Sequence, residues 1–300
     1  PDPLELWESG PFEPVISNDA IVARGASDDK GQIMCFIEAL RAWQRNRGGA
    51  PVNVTVLIEG EEEMGSAHLP AFLDQNKQDL TADFVLISDT TMWDTKTVAI
   101  TYGLRGMVYY DLKLHGPSRD LHSGMYGGTL ANPATMLTRV LGQLFDDQHR
   151  VCIPGFYDHV VAPRDDEREA WANLTFDPVA DLLRPVGVET PFGEANFSTL
   201  ERRWSRPACD INGLYGGYGG EGAKTIIPNI AGAKVSFRLA PNQQPEHIAA
   251  AFEQWLKSHD VHGCRWELTQ MGMAEPVLVS TNSPYMAAAR RAIEKSSGRK

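Results

Sequence analysis

The feature that most constrains this chain is a strand, helix, strand, helix, strand rhythm between residues 21 and 89. Ile21-Val22-Ala23 is a short apolar run. From Gln32 to Trp43, the residues Ile33, Met34, Phe36, Ile37, Leu40 and Trp43 recur at helical spacing, and Val52 to Ile58 is a β-branched run suited to a buried strand. A second helix is expected over Leu69 to Gln75, and Phe84-Val85-Leu86-Ile87 closes the unit as another strand. Strands alternating with helices in this way predict an α/β domain with an open, largely parallel sheet and helices on both faces.

After Gly103 the texture changes. Met107 to Leu114 alternates like a half-exposed strand, Pro133 to Phe145 carries Met136, Leu137, Val140, Leu141 and Leu144 on one helical face, and Gly232 to Leu239 alternates again. Pro245 to His259 reads as a helix and Arg265 to Thr269 as a strand, so a second, α+β domain is expected. Pro154 to Pro207 is Pro-rich and charged and reads as irregular and exposed. Ser283 to Ser296 starts a new helix, with Ser283 as cap and Pro284 in its first turn. The expected division is residues 1–104 as the first part of the α/β domain, 105–279 as the inserted domain, and 280–300 as the start of a return to the first.

Composition narrows the partners. Acidic residues exceed basic ones by 39 − 28 = 11, which disfavours nucleic acid and anionic membranes and leaves small molecules or peptides. No apolar run approaches the roughly 20 residues of a membrane span, and the amino terminus shows no leader pattern, so a cytoplasmic protein is expected. Cys35, Cys152, Cys209 and Cys264 are widely spaced without a CxxC pair, which predicts reduced, mostly buried thiols. Gly217 to Gly222 satisfies GxGxxG but precedes Ile226-Ile227-Pro228 instead of a helix, which argues against a dinucleotide site.

Three acidic clusters follow the three expected strands. Asp28-Asp29 follows the first, Glu59-Gly60-Glu61-Glu62-Glu63 the second and Asp89 the third. Open α/β sheets bind ligands beyond the carboxyl ends of their strands, so these carboxylates are expected to converge. Such a cluster repels itself unless a cation sits in it, and hard oxygen ligands suit divalent metal. Each cluster alone also fits a helix cap or a solvated turn, and Glu61 and one of Asp28 or Asp29 are candidates for that role.

The blocks Arg24-Gly25-Ala26-Ser27-Asp28-Asp29-Lys30-Gly31, Glu59 to Ser66 and Ile87-Ser88-Asp89 resemble the signatures of the aminoacylase/carboxypeptidase family of two-metal hydrolases. Thr101 to Gly106, Asp120 to Gly128 and Gly219 to Pro228 resemble its carnosinase and cytosolic dipeptidase branch. The resemblance implies that Asp28 bridges two divalent ions, zinc first and manganese or cobalt as alternatives, with Glu63 on one ion and Asp89 on the other. It implies Glu62 as general base, His122 as the donor that stabilises the oxyanion from the lid domain of a dimer partner, and Arg238, assisted by Thr225, as anchor for a substrate carboxylate. The inserted domain would then be a lid and dimerisation domain, and the reaction hydrolysis of dipeptides or small amides with a free carboxylate. The family pattern also includes an amino-terminal His-x-Asp block and a carboxyl-terminal Gly-Ala-His block, and this sequence contains neither. Each ion is therefore expected to lack one histidine from these residues, and a non-catalytic interaction or dimerisation module is the competing expectation.

Overall fold

Local turn chemistry decides the first strand pair in the computed structural model, which describes residues 3–94 and 96–298. Asn18 and Asp19 both take positive φ, 51° and 60°, the backbone that a two-residue hairpin loop demands and that these two residue types tolerate. The loop folds β1 (Val15–Ser17) against β2 (Ala20–Val22) as an antiparallel pair. The Ile21 run is thus a strand, but its neighbour is antiparallel and comes from just upstream. Helix α1 (Gly31–Arg47) ends at Gly48, whose left-handed φ of 76° lets its N–H reach the Gln44 carbonyl. Helix α2 (Leu69–Gln75) lies where the spacing puts it.

The parallel ladder expected over residues 21–89 is not formed among the described residues. The segments 52–58 and 84–87 join no sheet, and Val56 and Val85 remain 59% and 79% exposed. The physical reason is that a β-branched run encodes extended, apolar backbone, whereas a ladder also needs a neighbouring strand about 4.8 Å away. The pattern carries the first requirement and cannot supply the second.

Residues up to Ile100 and from Asn282 onward form one unit, and Thr101–Thr281 form a second. In the second, β3 (Gly103–Leu104) leads into β4 (Gly106–His115), followed by β5 (Leu121–His122), α3 (Ser123–Tyr126), α4 (Pro133–Leu141), α5 (Asp165–Ala172) and α6 (Thr199–Trp204). Then come β6 (Ala208–Gly216), β7 (Ile226–Ile227), β8 (Ile230–Leu239), α7 (Pro245–Ser258), β9 (Arg265–Ala274) and β10 (Val277–Leu278). Helix α8 (Pro284–Ser297) belongs to the first unit and is capped by Ser283 Oγ, which accepts the Met286 N–H at 3.1 Å. The protein is therefore mixed α/β, with an antiparallel sheet of order β6-β8-β4-β9 at the centre of its second unit.

Alternation explains that core. Val108, Tyr110, Leu112 and Leu114 of β4 point to one face with Val235, Phe237 and Leu239 of β8, where α4 and α7 cover them. Phe252 of α7 is the hub, with ring centroids 4.8 Å from Phe237 and 5.5 Å from Tyr110. Each such side chain contributes about 1.5–3 kcal/mol on burial. The expected irregular stretch 154–207 is a correction: it holds α5 and α6, the buried Phe156, and a buried Glu194 that accepts both arms of Arg206 at 2.6 and 2.7 Å. Hydropathy misses it because its stability comes from paired charge. The four thiols are free, yet Cys35 and Cys152 are exposed and only Cys209 is fully buried, so the expectation of mostly buried thiols fails. Among the described residues no helix is long and apolar enough to cross a membrane.

Candidate active site

Each unit carries one group of the expected site residues. In the first unit, Gly25 starts the arrangement: its φ of 76° is left-handed, and a Cβ there would collide with the Lys30 ammonium. This turn feeds Ala26–Lys30, where Asp28 departs from helical geometry (φ −133°, ψ 92°) before α1 begins. Glu62 and Glu63 sit on a single tight turn, Glu62–Met64, closed by Gly65 at φ 87° and by its N–H bond to the Glu62 carbonyl. Asp89 follows the extended segment 84–87.

These separate segments place Asp28, Glu62, Glu63 and Asp89 in one another's field. Partial desolvation, then Asp89, Glu63, Asp28 and Glu59 in that order, push the Glu62 carboxyl above its ordinary range. Asp89 is raised as well, first by desolvation, then by Asp28 and Asp29, and by a side-chain hydrogen bond with Asp28. Both side chains stay exposed, so the crowding of negative charge shows despite water around it. Glu61 stands apart, its carboxylate accepting from the His68 backbone and ring at 3.3 and 2.8 Å, the local turn role open to it.

Two members were not singled out by sequence reasoning. Arg24 makes an ion pair with Glu63, the nearest thing in the cluster to a neutralising cation. Glu59 has a buried carboxylate oxygen with no hydrogen-bond partner among the described residues. Position was the available signal: Arg24 opens the first signature block and Glu59 directly ends the Val52 run. A set of hard carboxylate oxygens, one of them orphaned, is chemistry that fits a divalent ion. The geometry is open, since no three His, Cys, Asp or Glu side chains among the described residues are grouped closely enough to hold a metal.

In the second unit β5 pairs with β7, Leu121 against Ile227 and His122 against Ile226, which brings His122 beside Thr225, 103 positions away. His122 Nδ1 accepts the Gly124 N–H at 3.0 Å, and Nε2 lies 2.9 Å from Thr225 Oγ1. A neutral imidazole that accepts at Nδ1 carries its proton on Nε2, so Nε2–H donates to Thr225 and the threonine hydroxyl proton is left to point elsewhere. A recess of about 480 Å³ opens here, lined by Asp120, His122, Lys224 and Thr225 among others. Arg238 lies on β8, directly across from Met107 and Ala208 on the face away from the helices, exposed. Thr225 is thus bonded to His122, not to Arg238.

One unit thus carries a cluster of carboxylates, and a separate α+β unit carries a histidine and an arginine. Comparison with known proteins gives the family: the model for peptidase family M20/M25/M40 matches residues 1–300, and the chain belongs to that family. A Cys-Gly metallodipeptidase of Schizosaccharomyces pombe is 35% identical over 256 residues, covering 84% of this chain and 53% of the relative. The human Beta-Ala-His dipeptidase is 29% identical and covers 96% of this chain and 57% of its own length. Among solved structures, an M20 family metallo-carboxypeptidase from Sulfolobus solfataricus superposes with a TM-score of 0.86 at 34% identity, covering 100% of this chain and 67% of the other. Human carnosine dipeptidase 1 gives 0.80 at 28% identity, covering 99% and 63%. The chain spans about half the length of the curated relatives it matches.

Proposed function

We propose that this chain is the larger part of a dipeptidase that uses divalent metal to hydrolyse dipeptides or similar small amides with a free carboxylate. The observation that carries the reading is the convergence of Asp28, Glu62, Glu63 and Asp89 from separate segments, crowded enough to raise Glu62 and Asp89. The printed activities of the relatives, metallodipeptidase and Beta-Ala-His dipeptidase, support it.

In this reading Asp28, Glu63 and Asp89 would hold two divalent ions per subunit. Zinc is the first choice and manganese or cobalt the alternatives, since carboxylate oxygens discriminate weakly. Bound there, the ions supply Lewis-acid polarisation and a water activated near neutral pH. Glu62 takes the proton of the attacking water and returns it to the leaving amine nitrogen. His122 donates its Nε2 proton to the developing oxyanion, Arg238 holds the substrate carboxylate, and Thr225 is in reach of His122. Residues 1–104 and 280–300 act as the catalytic domain and 105–279 as the lid and dimerisation domain. A homodimer offers each His122 to the partner's carboxylates, and the four free thiols accord with a cytoplasmic setting.

The test is metal content and turnover of the whole protein that carries this sequence. Glu62→Gln should keep its metal and lose about 10²–10⁴-fold in kcat, whereas Glu63→Gln should lose metal. An active protein without divalent metal would refute the mechanism. A second reading, a non-catalytic interaction module, is favoured by the Arg24–Glu63 ion pair, which occupies an expected ligand. It is upheld if the whole protein neither binds metal nor cleaves any of a panel of dipeptides.

A further inference from the structure

The sheet of the second unit gathers three arginines for which the chain provides no close partner. Arg238 sits opposite Met107 on one side and Ala208 on the other, and Arg105 lies two residues before Met107, just outside the ladder. Arg203, in the last turn of α6 five residues ahead of Ala208, is near enough to Arg105 for its charge to be felt there. Asp210 occupies the diagonal position to Arg238 on β6, roughly 7–8 Å away by strand geometry. Among the described residues none of the three guanidinium groups has an ion pair or hydrogen bond.

The rest of the unit treats its partly buried arginines differently. Arg206 forks onto Glu194 at 2.6 and 2.7 Å, and Arg202 donates to the Glu194 carbonyl at 2.8 Å. Arg105 is also half-buried, yet its charged neighbours are mostly of its own sign. Burial, then Arg238 and Arg203, loosen its hold on its proton, and Asp210 alone opposes them. Leaving a half-buried guanidinium beside two others is unfavourable unless an anion completes the group. Three arginines against one aspartate leave 3 − 1 = 2 positive charges, the complement of two carboxylates.

We infer that Arg105, Arg203 and Arg238 form one anion subsite for a ligand with two carboxylates, Arg238 holding the first and Arg105 with Arg203 the second. The inference rests on the reading of Arg238 as carboxylate anchor and extends it to substrate class: a dipeptide with an acidic carboxyl-terminal residue. Guanidinium forks suit this ligand because each can take a carboxylate through two parallel N–H bonds.

The experiment is calorimetric titration of this chain with glutarate and with its monoamide, glutaramate, which has the same shape and one carboxylate fewer. Glutarate should bind at least about tenfold tighter, a single charge-assisted bond of roughly 1.5–3 kcal/mol sufficing for that ratio. Arg105→Gln should remove most of the difference. So should Arg203→Gln, at an exposed position where the fold is not at stake. Glutaramate binding should survive both and fall in Arg238→Gln. Equal affinities for the two ligands, no binding of either, a ratio untouched by both substitutions, or tighter binding of inorganic phosphate than of glutarate would each overturn the subsite. If the ratio needs Arg105 and Arg203 but glutaramate ignores Arg238→Gln, the two-arginine part stands and the anchor reading fails.

Discussion

Removing the Thr225 hydroxyl tests whether the Gly124 N–H, and not the threonine, sets the tautomer of the His122 ring. Thr225→Val keeps the side-chain shape and deletes the oxygen 2.9 Å from Nε2, while the Gly124 N–H bond to Nδ1 at 3.0 Å remains. The site is exposed, so each bond is taken at the low end for neutral pairs, about 0.5 kcal/mol. Only the Gly124 bond discriminates between the tautomers, favouring Nε2–H by about 0.5 kcal/mol, roughly twofold, because the Thr225 hydroxyl can accept from Nε2–H or donate to a bare Nε2; losing Thr225 leaves that preference in place. The assay is long-range nitrogen–proton correlation NMR of the His122 ring, recorded at alkaline pH, where imidazoles are neutral. The Nε2-protonated form should be the larger population in the native chain and in Thr225→Val alike. Dominant Nδ1 protonation in the native chain would refute the reasoning, because the Gly124 bond could not then exist as drawn.

Other expectations concern the second unit's stability. Arg206→Met should cost up to about 3–5 kcal/mol by leaving the buried Glu194 carboxylate only Arg150 at 3.8 Å, and a paired apolar replacement of Arg206 and Glu194 should recover most of it; a urea midpoint unmoved by the single change would contradict the buried pair. Phe252→Ala should cost about 3–5 kcal/mol in thermal denaturation, since the ring is fully buried among Tyr110, Phe237 and Trp255. Glu253 is held below its ordinary value chiefly by the Lys257 ammonium, and the Tyr110 hydroxyl also donates to it. A depressed carboxylate stabilises the fold above its unfolded value of about 4.3 and loses that stabilisation as pH falls through the lower folded value. Lys257→Met should therefore flatten the acid limb of the stability profile, and an unchanged limb would remove the assignment.

The residues show why some of this was readable in advance. Helix α7 starts at Pro245, α4 follows the cap Asn132 and Pro133, and α8 follows Ser283 and Pro284, all signals within a few positions of the element they start. The alternation of β4 likewise declares which residues face a core. The Asn18-Asp19 turn was equally local, and reading it would have turned the Ile21 run into a hairpin. The signature blocks named Asp28, Glu62, Glu63 and Asp89 as a set because metal chemistry restricts the residue types that can serve it.

What the sequence determined by itself was therefore local: the helices with their caps, the faces of β4 and β8, and the inventory of carboxylates, histidine and arginine. Tertiary structure decided who meets whom. It bound His122 to Thr225 across 103 residues, gave Glu63 to Arg24, left a Glu59 oxygen without a hydrogen-bond partner among the described residues, and set Arg105, just ahead of β4, in the field of Arg238 on β8 and Arg203 on α6. It also left residues 52–58 and 84–87 outside any sheet among the described residues, though their composition is that of strands. The reason is the same in each case: propensity and periodicity act within one or two turns of chain, whereas pairing energies depend on distances between segments that no short pattern encodes.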